Sequence, residues 1–237
     1  MIESFRQLSP MTALLYCVVA NVSLFVIAMV VGEWLVRRFS NIPLTEKPDP
    51  VERTEILLAA SCVLLNSIVA FAGWLLWTHD WVVLRTDIGW RVVADFFVLL
   101  IVMDFCMYVL HRVAHHPWIY PLAHQTHHRY DRPRPLSLFV LNPLEVLGFG
   151  GLWLTVLCCY SFSWVGMIAF LTLNLASGTL GHLGVEPFPT RWKSLPILKY
   201  LGSSTFHSDH HQHPEMNYGF YTTIWDRLFR TGRSSQK

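Results

Sequence analysis

The chain has 237 residues, of which 53% are apolar and 14% are charged, and its mean hydropathy is +0.37. This composition excludes a disordered or collagen-like chain, and it is too apolar for an ordinary soluble domain. The formal net charge is only +2, and without a concentrated basic stripe there is no reason to expect a nucleic-acid partner. The length fits one integrated domain, residues 1–237, in a membrane.

Two segments are long and apolar enough to cross a bilayer as helices. Residues 11–32 and 56–77 each hold 22 residues without Asp, Glu, Lys or Arg, and about 20 apolar residues suffice for one crossing. A third segment, residues 92–110, is a weaker candidate because it carries Asp95 and Asp104. Charged residues at membrane depth are costly, so these two acids need an explanation.

The region after the third segment predicts a membrane hairpin. The 40 residues between Glu145 and Glu186 carry no formal charge, which is enough for two crossings. We place this hairpin around residues 143–181, with its turn near residues 160–164. The sequence therefore predicts an all-α integral membrane protein with about four transmembrane helices, in which the third span and the hairpin are the weaker elements.

Lys and Arg are divided unequally between the two ends of these helices. With the N-terminus outside, the external segments hold Arg6, Arg85 and Arg91, and the internal segments hold the other 15 of the 18 basic residues. Cytoplasmic loops carry an excess of positive charge. The count therefore predicts that the polar segments after the third span and after the hairpin face the cytoplasm.

Histidines are concentrated in those same polar segments. Eleven of the twelve lie between positions 111 and 213. Three rows have members three or four residues apart, so on a helix the rings of each row project from one face. The rows are His111 and His115; His124, His127 and His128; and His207, His210 and His211. Imidazole is the commonest metal ligand, and we predict that these eight form a helical, His-rich metal-binding cap.

His182 is a ninth candidate ligand, at the inner end of the predicted hairpin. The alternative for it is an interfacial histidine that hydrogen-bonds a loop. Eight or nine imidazoles are too many for one tetrahedral ion and suit a pair of ions. Because neutral imidazoles leave the charge of two divalent ions uncompensated, nearby carboxylates or bound hydroxide should balance part of it.

Asp104 is the acidic residue closest in sequence to the first His row. It lies seven residues before His111, two helical turns back on the same face, with Tyr108 between them. This position makes Asp104 and Tyr108 candidate site residues, because an acid at membrane depth is usually functional. A salt bridge from Asp104 to Arg112, or a hydrogen bond to neighbouring backbone, is the alternative.

These motifs resemble those of the membrane-bound fatty acid hydroxylase and sterol desaturase superfamily, the histidine-box di-iron enzymes. The resemblance covers more than half of the chain, with the catalytic motifs in residues 104–230. It rests on DFCMYVLHRVAH from Asp104, HQTHH from His124, GHLG from Gly181, HSDHH from His207, NYG from Asn217 and WDRLF from Trp225. Arg230 departs from the family pattern, which usually has Gly after WDRLF.

The resemblance implies a mixed-function oxidase in which two Fe ions and O2 hydroxylate or desaturate a lipid at an unactivated C–H bond. The lipid would be a sterol, a fatty acyl chain or another long-chain lipid. Electrons would come from an external NAD(P)H-linked carrier, a separate donor protein of cytochrome b5, ferredoxin or reductase type. By the count of basic residues these ligands would lie at the cytoplasmic side, of either a bacterial inner membrane or the endoplasmic reticulum. The nine histidines would bind the metals, and Asp104 and Tyr108 would be catalytic.

The residues alone leave a second function open, a His-rich divalent metal transporter or another metal-binding membrane protein. Transport sites lie near the bilayer midplane, whereas these histidines lie mostly in polar segments outside the spans. Their placement favours the enzyme.

The WDRLF segment is predicted to be structural. Trp225 and Phe229 are four residues apart and would pack on one face of a short helix. Asp226 and Arg227 are predicted to form an ion pair that holds the ligand-bearing helices. The sequence suggests no partner for Asp95.

Overall fold

The protein is helical throughout the described part of the chain. The computed structural model describes residues 2–233, apart from the Lys193 side chain, and within that range it has three isolated bridges but no β-strand. The α-helices of this part are α1 (Ile2–Arg6), α2 (Pro10–Arg38), α3 (Arg53–Thr78), α4 (Trp90–Ala114), α5 (Tyr120–Ala123), α6 (Gln125–His128), α7 (Pro143–Cys159), α8 (Trp164–Gly181), α9 (Ser204–Gln212) and α10 (Ile224–Leu228). Short 3-10 helices cover Pro135–Phe139, Thr190–Ser194 and Leu198–Tyr200.

Four of these helices, α2, α3, α4 and α8, are long and apolar enough to cross a membrane. This confirms both strong spans and the third one. α7 is also apolar but has 17 residues, about 26 Å of helix. It runs into α8 through a turn at residues 160–163. Two consecutive apolar helices joined by a short turn are therefore confirmed, while a membrane crossing by α7 stays a prediction. Asn142 caps α7 by accepting a hydrogen bond from the Leu144 amide, and Pro143 follows it, a typical helix start.

The membrane helices pack into one bundle, with α2 on α3, α3 on α7, and α4 on α8. One apolar core lies among α4, α7 and α8 and includes Leu99, Met103 and Phe170. A second core joins α2, α3 and α7 around Ala28 and Ala59. The outer faces of the helices carry exposed Leu, Val, Ile and Phe side chains, as expected for surfaces that contact lipid tails.

Asp95 lies at the end of the bundle away from the nine candidate ligands, where hydrogen-bonding partners account for its charge. Its carboxylate accepts hydrogen bonds from the Arg85 guanidinium at 2.8 Å and from the Ser163 amide at 2.6 Å. Arg6 and Asp80 form another ion pair at this end. The three basic residues counted as external therefore belong to elements at this end of the bundle.

The nine candidate ligands lie at the opposite end. α4 ends beside His115 and α8 ends beside His182, while α5, α6, α9 and α10 form a set of short helices beyond them. This arrangement confirms a helical, His-rich cap on a membrane bundle. The cap is where the candidate site residues meet.

Candidate metal centre

All nine candidate ligands come together in two adjacent groups. Within each group, one ring nitrogen from every histidine lies within 4.8 Å of the others. We call them the five-histidine group, which is His111, His115, His124, His128 and His210, and the four-histidine group, which is His127, His182, His207 and His211. Every member is buried except His115 and His207, which are partly exposed.

Each three-histidine motif contributes to both groups. In HQTHH, His124 and His128 are four residues apart and join the five-histidine group, whereas His127 joins the other. HSDHH does the reverse, because His207 and His211 join the four-histidine group and His210 the five-histidine group. The motif spacing therefore places two groups of candidate ligands side by side.

The ring nitrogens have the spacing that a shared ion requires. Atoms bound to one ion at the usual metal–imidazole distance lie about 3.0–3.4 Å apart when they are neighbours in its coordination shell. The Nε2 atoms of His111 and His124 are 3.0 Å apart, and those of His115 and His210 are 3.1 Å apart. In the four-histidine group, the Nε2 atoms are 3.3 Å apart for His182 and His127, 3.1 Å for His207 and His182, and 3.2 Å for His211 and His207.

The opposite nitrogen of several rings is fixed by a backbone carbonyl. When Nδ1–H donates to a carbonyl, the proton stays on Nδ1 and the Nε2 lone pair is free for a metal. The pairs are His111 with Tyr218 at 2.9 Å, His210 with Met216 at 2.6 Å, His127 with Val140 at 3.3 Å and His182 with Gly178 at 2.8 Å. The donor set therefore fits two divalent ions bound by neutral imidazole.

Burial keeps the rings neutral. Loss of hydration lowers the pKa of His182 to about 4 and, together with the neighbouring His111, the pKa of His115 to about 3. Loss of hydration is also the main cause that lowers the pKa values of six further histidines of the cap, and neighbouring imidazoles lower them more. These six are His124, His127, His128, His207, His210 and His211. Neutral imidazole is the form that binds metal.

Asp104 is buried and faces the C-terminal segment. Its carboxylate accepts hydrogen bonds from the Tyr221 and Thr222 amides, both at 3.1 Å, from the Thr222 hydroxyl at 2.5 Å and from Trp225 Nε1 at 3.0 Å. None of these hydrogen bonds involves an imidazole. The structure therefore joins Asp104 to residues 221–225, and not to Arg112.

Tyr108 also contacts the C-terminal segment. Its hydroxyl lies 3.0 Å from the Thr231 hydroxyl, and Arg112 donates to the Tyr108 oxygen at 3.4 Å. Its ring stacks on Phe229 with the centroids 5.5 Å apart. Its position is one helical turn before His111 on the buried face of α4.

Asp226 has different partners from the predicted one. It accepts hydrogen bonds from the Tyr218 amide at 2.9 Å and the Gly219 amide at 2.7 Å, while Arg227 donates to the Thr223 hydroxyl and to the Lys199 carbonyl. The predicted Asp226–Arg227 ion pair is wrong, because consecutive residues of a helix face different directions. Asp226 instead holds the turn whose Tyr218 carbonyl fixes His111.

Glu145 is the site residue that the sequence reasoning missed. Its carboxylate lies 2.7 Å from His124 Nδ1, and the side chain is buried. In the sequence it served only to mark the edge of an uncharged stretch. The available signal was an acid in the first turn of an otherwise uncharged membrane helix.

Two cavities lie near the cap. One of about 20 Å³ opens beside His182 and His207 and is bordered by Ser177, Gly178 and Gly181 of α8, with room for about one water-sized molecule. The other, about 290 Å³, lies between residues 186–206 and the C-terminal segment, and no histidine lines it. Of these two cavities between described residues, the smaller one borders the histidine groups.

The relatives found by comparison with known proteins include several enzymes named for sterols. The sequence is 29% identical over 125 residues to a Delta(7)-sterol 5(6)-desaturase of Leptosphaeria maculans and 30% identical over 152 residues to methylsterol monooxygenase 1 of Danio rerio, matches covering 53% and 62% of this chain. It is 25% identical over 183 residues, 74% of the chain, to lathosterol oxidase of Homo sapiens. The matches span 33%, 49% and 59% of these three relatives. No solved structure gives a significant match.

The family model described as fatty acid hydroxylase matches residues 96–231. This range holds all nine histidines of the two groups, together with Asp104, Glu145 and Asp226. It leaves out α2 and α3. The match covers more than half of the chain, and the chain belongs to the fatty acid hydroxylase family.

Proposed function

We propose that this protein is a membrane-bound lipid oxidase with a dinuclear iron centre. The nine histidines hold two Fe ions, and the reaction uses O2 to hydroxylate or desaturate a lipid at an unactivated C–H bond. The observation that carries this proposal is the pair of adjacent groups built from histidine alone, at one end of a bundle of membrane helices. Family membership and the names of the relatives support the same reaction class.

The iron ions, when bound, supply the redox chemistry that activates O2. The chain's own contribution is to hold the ligands and the substrate in fixed positions. Asp104 and Asp226 do this by binding backbone amides of the C-terminal segment, and Tyr108 by packing on Phe229. We propose that Asp104 and Tyr108, the two catalytic candidates from the sequence, act as positioning residues.

The substrate reaches the site from the bilayer. Exposed apolar side chains on the outer faces of the membrane helices are compatible with contact to lipid. All three relatives reported above are named for sterols. A sterol is therefore the first substrate class to test, followed by fatty acyl lipids.

The donor of electrons is a separate protein that receives its electrons from NAD(P)H. In the part of the chain that the structure describes, the histidine cap lies at the end of the bundle that carries most of the basic residues, so we propose that it faces the cytoplasm. A soluble or membrane-anchored carrier of cytochrome b5, ferredoxin or reductase type would dock on this side.

The position of the histidines is less suited to transport. Transporters place their ion sites near the bilayer midplane, whereas His115 and His182 are the residues that follow the last turns of α4 and α8. The groups therefore lie at the bundle end and not half-way along the spans. This placement favours the oxidase over the metal transporter.

The test is lipid analysis of membranes that contain the protein and a matched reductase system. Membranes supplied with sterols or fatty acyl lipids should form a product that gains one oxygen atom or loses two hydrogen atoms, with uptake of O2. The control is the His127→Ala variant at equal expression. If the iron-loaded protein turns over none of the offered lipids and binds metal only to carry it across vesicles, the oxidase proposal is wrong.

A further inference from the structure

Glu145 distinguishes the two metal-binding groups. It lies in the first turn of α7, only 6% exposed, and its Oε1 accepts a hydrogen bond from His124 Nδ1 at 2.7 Å. The rings fixed by carbonyls are His111, His127, His182 and His210. In residues 2–233, His124 is the one member of the two groups whose Nδ1 is hydrogen-bonded to a carboxylate.

The second carboxylate oxygen has no partner. Glu145 Oε2 is buried without a hydrogen bond, and no Lys or Arg forms an ion pair with Glu145 among the described residues. A buried carboxylate without a cation is unfavourable. The group that can balance its charge is the one that His124 faces through its other nitrogen, which is the ion of the five-histidine group.

The four-histidine group has no comparable partner. Two acids in the segments that carry or follow these histidines are engaged elsewhere: Asp209 pairs with Arg233 at 2.6 Å, and Glu186 accepts hydrogen bonds from the Phe188 and Thr205 amides, both at 3.1 Å. In the part of the chain that the structure describes, carboxylate support is therefore limited to one of the two groups.

We propose that Glu145 makes the two metal sites unequal, so that the five-histidine group binds its ion first and more tightly than the four-histidine group. The proposal rests on the dinuclear centre of the proposed function and adds an order of loading. A carboxylate that accepts from the ligand's Nδ1–H raises the basicity of the ring, and loss of such a partner typically weakens metal binding 10–100-fold. The fifth imidazole acts in the same direction.

The experiment is an anaerobic titration of metal-free, full-length protein in detergent, with Co²⁺ against a competing chelator. Co²⁺ lies next to Fe²⁺ in the usual affinity order, and its visible spectrum reports coordination number. The wild type should bind two ions in two separate steps. His115→Ala should weaken the first step and His182→Ala the second, which assigns each step to a group.

Glu145→Gln is the decisive variant. The amide keeps the size of the side chain and an oxygen that can accept from His124, but it removes the charge. We expect the first step to weaken about 10–100-fold while the second changes less than about twofold. The matched control is Glu186→Gln, a buried acid that contacts no imidazole, and both steps should match the wild type.

The outcomes separate this proposal from the proposed function. Equal affinities of the two ions in the wild type would overturn it, as would an unchanged first step in Glu145→Gln. If Glu145→Gln does not fold, the titrations of the two His variants test the order of loading. Loss of the first binding step in His182→Ala, but not in His115→Ala, would contradict the proposed order. A wild type that binds no metal would refute the dinuclear centre itself.

Discussion

Trp225 Nε1 donates a hydrogen bond to the Asp104 carboxylate at 3.0 Å, and these residues are 121 positions apart in the sequence. The contact ties the membrane helix that carries His111 to the C-terminal segment. That segment in turn fixes His111 through the Tyr218 carbonyl. The acid at membrane depth therefore holds together two elements that build the metal centre.

Asp104→Asn should weaken this connection. An Asn side chain would point its own N–H group at N–H or O–H groups from which the carboxylate now accepts hydrogen bonds. Loss of hydrogen bonds to a buried charged group costs about 1–3 kcal/mol. We expect a lower unfolding temperature in detergent and fewer metal ions per chain. Trp225→Phe removes a single donor and should have a smaller effect. Wild-type stability and metal content in Asp104→Asn would contradict the role.

His127→Ala tests the metal centre. The variant removes one of four ligands from the four-histidine group, so we expect metal content to fall from two ions per chain toward one and lipid oxidation to fall at least about 100-fold. His116→Ala is the control, because His116 is exposed and belongs to neither group. Elemental analysis after anaerobic purification measures the result. Equal metal loss in the two variants would exclude a specific site.

Glu55→Gln tests a buried ion pair near the cap. Both Glu55 carboxylate oxygens accept hydrogen bonds from Arg134, and Glu55 is fully buried. Removing one partner of a buried pair leaves an uncompensated charge and costs about 3–5 kcal/mol. We expect Glu55→Gln to unfold at a markedly lower denaturant concentration than the wild type.

Glu52→Gln is the matched control for that pair. Glu52 lies in the same segment but is exposed, and it is 3.8 Å from Arg129. Exposed ion pairs contribute about 1 kcal/mol or less, so this variant should unfold like the wild type. If the two substitutions lower the free energy of unfolding equally, the buried Glu55–Arg134 pair contributes no more to stability than the exposed pair.

The local elements, and the histidines that come together in the cap, could be predicted from the sequence because both depend on short-range patterns. Apolar runs of about 20 residues locate the spans, and histidines three or four residues apart locate the three rows. The division into two groups required the structure. His127 and His128 are neighbours in the chain, yet they belong to different groups.

The partners of the acidic residues Asp95, Glu145 and Asp226 could not be predicted, because none of them lies within one helical turn of its acid and each contact depends on how the chain folds back. Asp95 is bound by Arg85 and by the Ser163 amide, 68 residues further on. Glu145 meets His124 only after the loop before α7 turns back toward the cap. Adjacency in the sequence suggested Arg227 as the partner of Asp226, which is wrong, because the Asp226 carboxylate accepts hydrogen bonds from backbone amides of a turn.

The membrane orientation can be measured directly. Because the cap is at the end with most of the basic residues, a protease or a membrane-impermeant label added to sealed cells should reach the loop of residues 79–89 and spare a tag placed after the last residue. Permeabilised cells are the control, in which both sites react. Access to the tag from outside intact cells would reverse the proposed orientation.

Gly150→Ala tests the close contact of α3 with α7, the helix that carries Glu145. A Cβ atom at Gly150 would lie 2.6 Å from Val69 Cγ2, so the helices must separate, at a cost of about 1–3 kcal/mol. A Cβ atom at Gly151 meets no neighbour within 4 Å, and Gly151→Ala should instead stabilise α7 by about 0.5–1 kcal/mol. Thermal unfolding of the two variants in detergent should therefore shift in opposite directions. Equal shifts would mean that α3 and α7 are not in contact at Gly150.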